Sequence, residues 1–326
     1  VKATVGRFEL VRRLGRGGMG EVFLARDGER QVVLKRLLPH LAQDRRLGEA
    51  FLREAGVAAR LSHPNIVRVL ELGEAQGAFF FTMEFVDGAD ARALGPLPVA
   101  LAVQLVADAA RALEAAHSAT DAAGRPLGVV HGDVSPKNLL VSTAGVTRLI
   151  DFGLAKVRAT RDEDSLGGTF EYLAPEQALE GAISERSDQF SLGVVAWELL
   201  TGRRLFAQDT DTLTLDQVLA CRVTAPRLVD PRVPGDVDAV VMRMLAREPG
   251  ARFARCRDVA DALERWLAST RPGDVRAELG ALARRAASAS AALAAAPSST
   301  GPVNVPAAPP KPAASTGPLT VWEKEA

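Results

Sequence analysis

The chain has 326 residues, 47% of them hydrophobic, enough for one large two-lobed domain or two ordinary ones. Forty basic residues cancel forty acidic ones, which argues against a nucleic-acid or anionic-membrane partner. Cys221 and Cys256 stand far apart, without the paired spacing of a zinc site or a disulfide framework, so buried thiols in a reducing compartment are expected. No apolar run approaches the ~20 residues that span a bilayer, and no signal-peptide pattern opens the chain; the expectation is a soluble, cytoplasmic protein without a membrane segment.

In chain order, "RFELVRRLGRGGMGEVFLARD" alternates, turns through glycines and alternates again, and "QVVLKRLL" is a further strand-like run. "RRLGEAFLREAGVAARLS" carries Phe51, Val57 and Leu61 at helical spacing and stops at the breaker "HPN". "IVRVLELGEAQGAFFFTMEFV" predicts two strands joined by a glycine-containing turn. After "DGAD" the character changes: "LPVALAVQLVADAARALEAAHSA" is strongly helix-periodic, "NLLVSTAGVTRLIDFG" predicts a small hairpin, and helical patterns dominate from "DQFSLGVVAWELLTG" to about Leu267. The layout is α+β: a small β-rich lobe with one main helix, a hinge, and a larger helical lobe. One more amphipathic helix, through Val275, Leu279 and Leu282, is expected before an Ala/Pro/Ser/Thr-rich segment that reads as a flexible tail.

Chemistry concentrates in a few stretches. "GRGGMGEV", Gly15 to Val22, fits G-x-G-x-x-G-x-V between strand-like runs. Glycines there let backbone lie against polyphosphate without a Cβ collision, although a plain hairpin turn in a Gly-rich region reads equally well. The strand after it, where a dinucleotide fold would need a helix, disfavours that fold. Lys35 ends "VVLK" in a chain with only six lysines. On that strand its ammonium would meet α- and β-phosphate oxygens, with Glu54 on the next helix as the carboxylate that holds it. "IDFG" places Asp151 directly after an apolar strand, where a carboxylate can bind a Mg²⁺ that bridges phosphates. In "VVHGDVSPKNLL", Asp133 can take the proton from an attacking hydroxyl and Asn138 can ligate a second metal.

The ordered set of Gly-rich turn, Lys35, Glu54, Asp133, Asn138 and Asp151 resembles the eukaryotic-like Ser/Thr protein kinases of bacteria, from about Phe8 to Leu267. The resemblance implies a bilobal kinase-like fold with an N-lobe over 8–86, a C-lobe over 87–268, an extra helix within 269–295 and the tail over 296–326. It implies ATP with Mg²⁺ or Mn²⁺ in the interlobe cleft, a protein substrate with a Ser or Thr acceptor, and a homodimer of the kind relatives form through the small lobe. Nucleotide contacts would come from Leu14, Gly15, Gly17, Gly18, Gly20, Val22 and Lys35. Met83 would be the gatekeeper, Glu84, Phe85 and Val86 the hinge, Asp90 the ribose partner and Leu140 part of the adenine floor. Asn138 and Asp151 would be the metal ligands, and Thr169 would contact Asp133.

Small-molecule kinases of the aminoglycoside type share "HGD…N" and "IDFG", so those motifs do not discriminate. "GGTFEYLAPEQ" does, since it resembles the peptide-positioning end of a protein kinase activation segment. Asp188 in "SDQFSLGVVAWELLTG" matches the residue that ties the catalytic loop from below. Arg252 matches the partner of the A-P-E glutamate, Glu176. The catalytic loop departs from the family twice. Gly132 replaces the Arg that grips a phosphorylated activation segment, so activity independent of phosphorylation at Thr160 or Ser165 is expected. Ser135 replaces the Lys of Ser/Thr kinases, and Lys137 stands where many tyrosine kinases carry an Arg. Lys137 is either a substitute γ-phosphate contact or a solvated surface residue. A pseudokinase scaffold would have lost part of the catalytic set, and none is lost.

Overall fold

The computed structural model describes residues 3–17, 19–152, 170–181, 183–270 and 272–295, without the side chains of Glu54, Glu180 and residues 291–295. The small lobe is a six-stranded antiparallel sheet in the order β1-β2-β3-β4-β6-β5. Its strands are β1 (Thr4–Val5), β2 (Phe8–Arg16), β3 (Gly20–Asp27), β4 (Arg30–Leu37), β5 (Val69–Ala75) and β6 (Ala78–Glu84). The β5–β6 turn holds Gln76 and Gly77 at φ 52° and 74°, the double left-handed geometry that matches the strand twist of a two-residue hairpin. A one-turn helix, α1 (Pro39–Ala42), leads to α2 (Arg45–Ala58), whose N-cap Asp44 accepts the Arg46 amide. Phe51 and Ala55 of α2 pack on Phe79, Phe81 and Met83 of β6 in one apolar cluster, and Phe8, Val32, Leu34 and Phe80 form a second on the other face.

The large lobe starts from a second sheet, β7 (Gly88–Asp90), β8 (Leu139–Ser142) and β9 (Thr147–Leu149), antiparallel throughout. β7 falls in "DGAD", which carries no alternating pattern; its pairing with β8 makes it a strand. Next come α3 (Ala91–Leu94), α4 (Val99–His117), α5 (Pro175–Glu180), α6 (Glu185–Thr201), α7 (Asp211–Ala220), α8 (Pro226–Val229), α9 (Gly235–Met244), α10 (Cys256–Thr270) and α11 (Val275–Ala295). α6 is buried almost all round, from Ser187 to Leu200, as its even distribution of apolar and small residues dictates. Its N-cap is Ser184, and α4, α9 and the 170–172 turn pack around it. Among the described residues no helix is long and apolar enough to cross a membrane. Gly18, Thr160, Ser165, Thr169 and the 296–326 tail lie outside the described residues.

Candidate active site

Cross-strand register places the small-lobe groups. Gly15 faces Val22, Val22 faces Lys35, and Lys35 faces Phe81, so the Gly-rich turn, the lysine and the strand leading to Met83 are neighbours across one sheet. The glycines of the turn differ in why they are glycine. A Cβ on Gly20 would sit 2.7 Å from the Arg36 carbonyl oxygen, so close strand packing demands its absence. A Cβ on Gly15 or Gly17 would meet no atom within 4 Å. Packing among the described residues does not demand glycine at those two positions, and their main chain is left open. Leu14 is exposed and Val22 half-buried beside them.

Lys35 is buried, and its Nζ lies 2.8 Å from Asp151 Oδ2 and 6.0 Å from the Phe81 ring centroid. Among the described side chains Lys35 thus pairs with Asp151, across the lobes. Glu54, the partner expected from sequence, lies in α2 with its side chain outside the described set. Met83 is buried opposite Val33 and Val69. Glu84 turns its carboxylate to Arg148 on β9, 2.8 Å away, and to the Arg68 amide. That side chain thus ties β6 to β9. Val86 is half-buried beyond it. Asp90 opposes Leu140 across β7 and β8, and its Oδ1 accepts the Ala93 amide, so it also caps α3.

The catalytic-loop candidates sit in a dense polar network. Asp188, 1% exposed, accepts the amides of His131 (2.8 Å) and Gly132 (2.7 Å), and its Oδ2 lies 2.8 Å from His117 Nε2. His131 Nδ1 accepts the Asp133 amide, which leaves Nε2 to donate to the Ile150 carbonyl at 2.8 Å. One imidazole thus links Asp133 to the residue before Asp151. Asn138 donates Nδ2 to the Asp133 carbonyl (2.8 Å) and carboxylate (3.1 Å), and its main-chain carbonyl accepts the Ile150 amide, so its side-chain oxygen is not the group bonded there. Asp133 and Asn138 are therefore tied by one set of bonds to the main chain of Ile150, the residue before Asp151. Asp151 itself takes φ 64°, an uncommon conformation for a non-glycine residue and one that clusters at functional sites. His131 is a positioning residue that motif reading alone passes over. Its burial, edge-on to the Phe152 ring at 4.8 Å, depends on tertiary partners that spacing along the chain does not show.

Gly132 adopts φ 71°, a left-handed backbone that a residue with a Cβ would occupy only at a cost of roughly 1 kcal/mol. The departure from the family at this position thus removes strain as well as a guanidinium. Lys137 is exposed, in a turn that spans Pro136–Asn138, while Ser135 is 2% exposed. Downstream, Arg252 is fully buried and grips Glu176 with both terminal nitrogens, at 2.7 and 2.8 Å. Burial alone would raise the Glu176 pKa; the Arg252 fork and the Ser187 hydroxyl outweigh it and hold the carboxyl below its usual range.

Among the described residues no group of three or more His, Cys, Asp or Glu could hold a metal. Asp151 and Asn138 offer a carboxylate and an amide, hard oxygen donors too few for an all-protein cage. That is the donor set of a Mg²⁺ site completed by phosphates and water.

Residues 8–264 match the model of the protein kinase domain family. The chain is 40% identical over 294 residues to the tyrosine-protein kinase MasK of Myxococcus xanthus, covering 85% of this chain and 45% of that protein. It is 38% identical over 263 residues to the serine/threonine-protein kinase PknB of Mycobacterium leprae, covering 76% and 41%. It therefore spans less than half the length of the curated relatives it matches. Among solved structures it is similar to the PknI kinase domain of Mycobacterium tuberculosis, with 30% identity and a TM-score of 0.61 over 81% of this chain and 97% of that one.

Proposed function

Since the chain belongs to the protein kinase domain family, we propose that it transfers the γ-phosphoryl group of ATP to serine or threonine hydroxyls of proteins, its own chain included. The observation that carries this reading is the network that ties Asp133 and Asn138, through His131, to Ile150 beside Asp151, with Lys35 on Asp151. Asp133 orients the attacking hydroxyl and takes its proton. Asn138 spends its amide nitrogen on Asp133, which directs its carbonyl oxygen to a cation. Asp151 supplies the carboxylate of the same metal site, and Lys35 meets the α- and β-phosphates. When bound there by Asn138 and Asp151, a Mg²⁺ would supply positive charge against the transferred group. Leu14, Gly15, Gly17, Gly18, Gly20 and Val22 cover the phosphates. Met83, Glu84, Val86 and Leu140 surround adenine, and Asp90 takes the ribose. Glu54 serves Lys35, and Thr169 serves Asp133.

Nothing in the catalytic loop offers a fork for a phosphorylated activation segment, so activity does not strictly require phosphorylation at Thr160 or Ser165. Abolition of activity by Thr160→Ala together with Ser165→Ala would contradict this. The two unpaired cysteines suit a cytoplasmic setting.

A tyrosine acceptor is the second reading, favoured by Lys137 at a tyrosine-kinase position and by the similarity to the tyrosine-protein kinase MasK. The "GTFEYLAPE" segment favours Ser/Thr. Phosphoamino-acid analysis after incubation with γ-labelled ATP and Mg²⁺ separates them: phosphoserine and phosphothreonine are expected, and phosphotyrosine alone would reverse the choice. Transfer to an added aminoglycoside, with none to protein, would overturn the protein-kinase reading itself. In the same assay, a loss of at least about threefold in kcat for Lys137→Ala identifies a γ-phosphate contact, and a smaller loss a solvated lysine.

A further inference from the structure

The matched family region ends at residue 264, yet α11 begins at Val275 and lies against α3, α4, β7 and β8. Two glycines make this approach. Gly145, at φ 76° in the β8–β9 turn, would drive a Cβ to 1.9 Å from the Arg276 carbonyl oxygen. Gly280 of α11 would drive one to 2.5 Å from the Thr143 carbonyl oxygen. Helix and turn therefore meet backbone to backbone, at a distance no side chain would permit.

A buried charge locks the contact. Asp108 of α4 is 5% exposed, and Arg276 donates to both of its oxygens, at 2.9 and 3.0 Å. The same carboxylate accepts the Thr147 amide at the head of β9 (3.1 Å) and Gln104 Nε2 (3.0 Å). Arg284 reaches the Thr143 carbonyl at 2.5 Å. Thr143 in turn donates its amide to the Asp87 carbonyl at 2.8 Å, just after the hinge and just before β7. Asp90 and Leu140, assigned above to ribose and adenine, face one another across β7 and β8.

We propose that Arg276 is a positioning residue for nucleotide binding, acting through Asp108 and the docked α11 on the β7–β8 floor. The proposal rests on the protein-kinase reading. It separates ground-state binding from chemistry, because Asp133, Asn138 and Asp151 have their own ties through His131, Ile150 and Asp188. Loss of Arg276 strands a buried carboxylate at one edge of the floor and lets α11 lift from the turn.

The test is steady-state phosphotransfer by the full chain with ATP varied, for wild type, Arg276→Ala, Arg276→Lys and Gly280→Ala. Arg276→Ala should raise KM for ATP about tenfold with kcat within about twofold, the signature of lost uniform binding. Arg276→Lys should recover part of that loss, because an ammonium keeps a positive charge beside Asp108 without the two-pronged contact. Gly280→Ala should move KM in the same direction. An unchanged KM in folded Arg276→Ala overturns the proposal, as does a kcat loss that matches the KM change, or a lysine variant no better than alanine. If Arg276→Ala does not fold, Gly280→Ala is judged by the same KM and kcat criteria. If wild type transfers no phosphate, the kinase reading fails by itself. The Kd for Mg-ATP by calorimetry then replaces KM: weaker in Arg276→Ala supports the positioning role, and equal overturns it.

Discussion

The two walls of the candidate site are built on opposite plans. On the large-lobe wall the loop that carries Asp133 and Asn138 is fixed by buried side chains: Asp188 beneath the loop, His131 between Asp133 and Ile150, Asn138 on Asp133. On the small-lobe wall the Gly-rich turn presents backbone with nothing packed where Cβ atoms of Gly15 and Gly17 would be. Chemistry that moves a proton needs atoms held to fractions of an ångström, and buried hydrogen bonds supply that. Cover over a polyphosphate needs an approachable main chain, and missing side chains supply it.

Substitutions should separate the walls. The largest effect is expected for Asp188→Ala, which orphans the His131 and Gly132 amides and the His117 ring nitrogen. At about 1–3 kcal/mol per stranded buried group, unfolding in urea should show a loss of at least ~3 kcal/mol, with phosphotransfer abolished. On the opposite wall, Gly20→Ala and Gly17→Ala should diverge. The Gly20 change collides with backbone 2.7 Å away and should cost roughly 1–3 kcal/mol of stability. The Gly17 change should leave the urea midpoint in place and raise KM for ATP. If both lower stability alike, the distinction between packing glycine and ligand glycine fails. Smaller still, Gly132→Ala and Gly132→Arg should each cost about 1 kcal/mol, equally, because the penalty lies in the φ of 71° and not in the side chain. A difference between them in thermal unfolding would place the cost elsewhere.

The smallest effect is one of pH. Arg252 and Ser187 hold the Glu176 carboxyl below its usual range against the opposing effect of burial. A depressed folded pKa stabilises at and above the unfolded value, and that contribution is lost as pH falls through the folded one. Denaturant midpoints of wild type should therefore drop as pH falls below the ordinary glutamate range, and Glu176→Gln should flatten that slope.

Much of this architecture was legible in the sequence. The alternations of β2, β3 and β4, the helical period of α4 and the glycine turn between β5 and β6 each carry their own local signal. So do the motif positions of Lys35, Asp133, Asn138 and Asp151, which the fold gathers on facing elements. What was not legible depends on tertiary partners. β7 spans Gly88–Asp90 and is a strand through its pairing with β8. The Lys35–Asp151 pair joins residues from two lobes, and no spacing along the chain announces it. Gly132 read as a lost guanidinium, whereas its backbone conformation gives glycine a second reason to be there. Gly145 and Gly280 owe their identity to α11 lying on the β8–β9 turn, a contact that no local signal announces.

The central claim is that Asp133, held by His131, Asn138 and Asp188, is the group that serves a protein hydroxyl during phosphotransfer. Transfer of label from γ-labelled ATP to protein, compared between wild type and Asp133→Asn, tests it most directly. The account predicts that kcat falls at least ~100-fold in Asp133→Asn while the Kd for ATP stays within about twofold. Equal label incorporation by both proteins would contradict it.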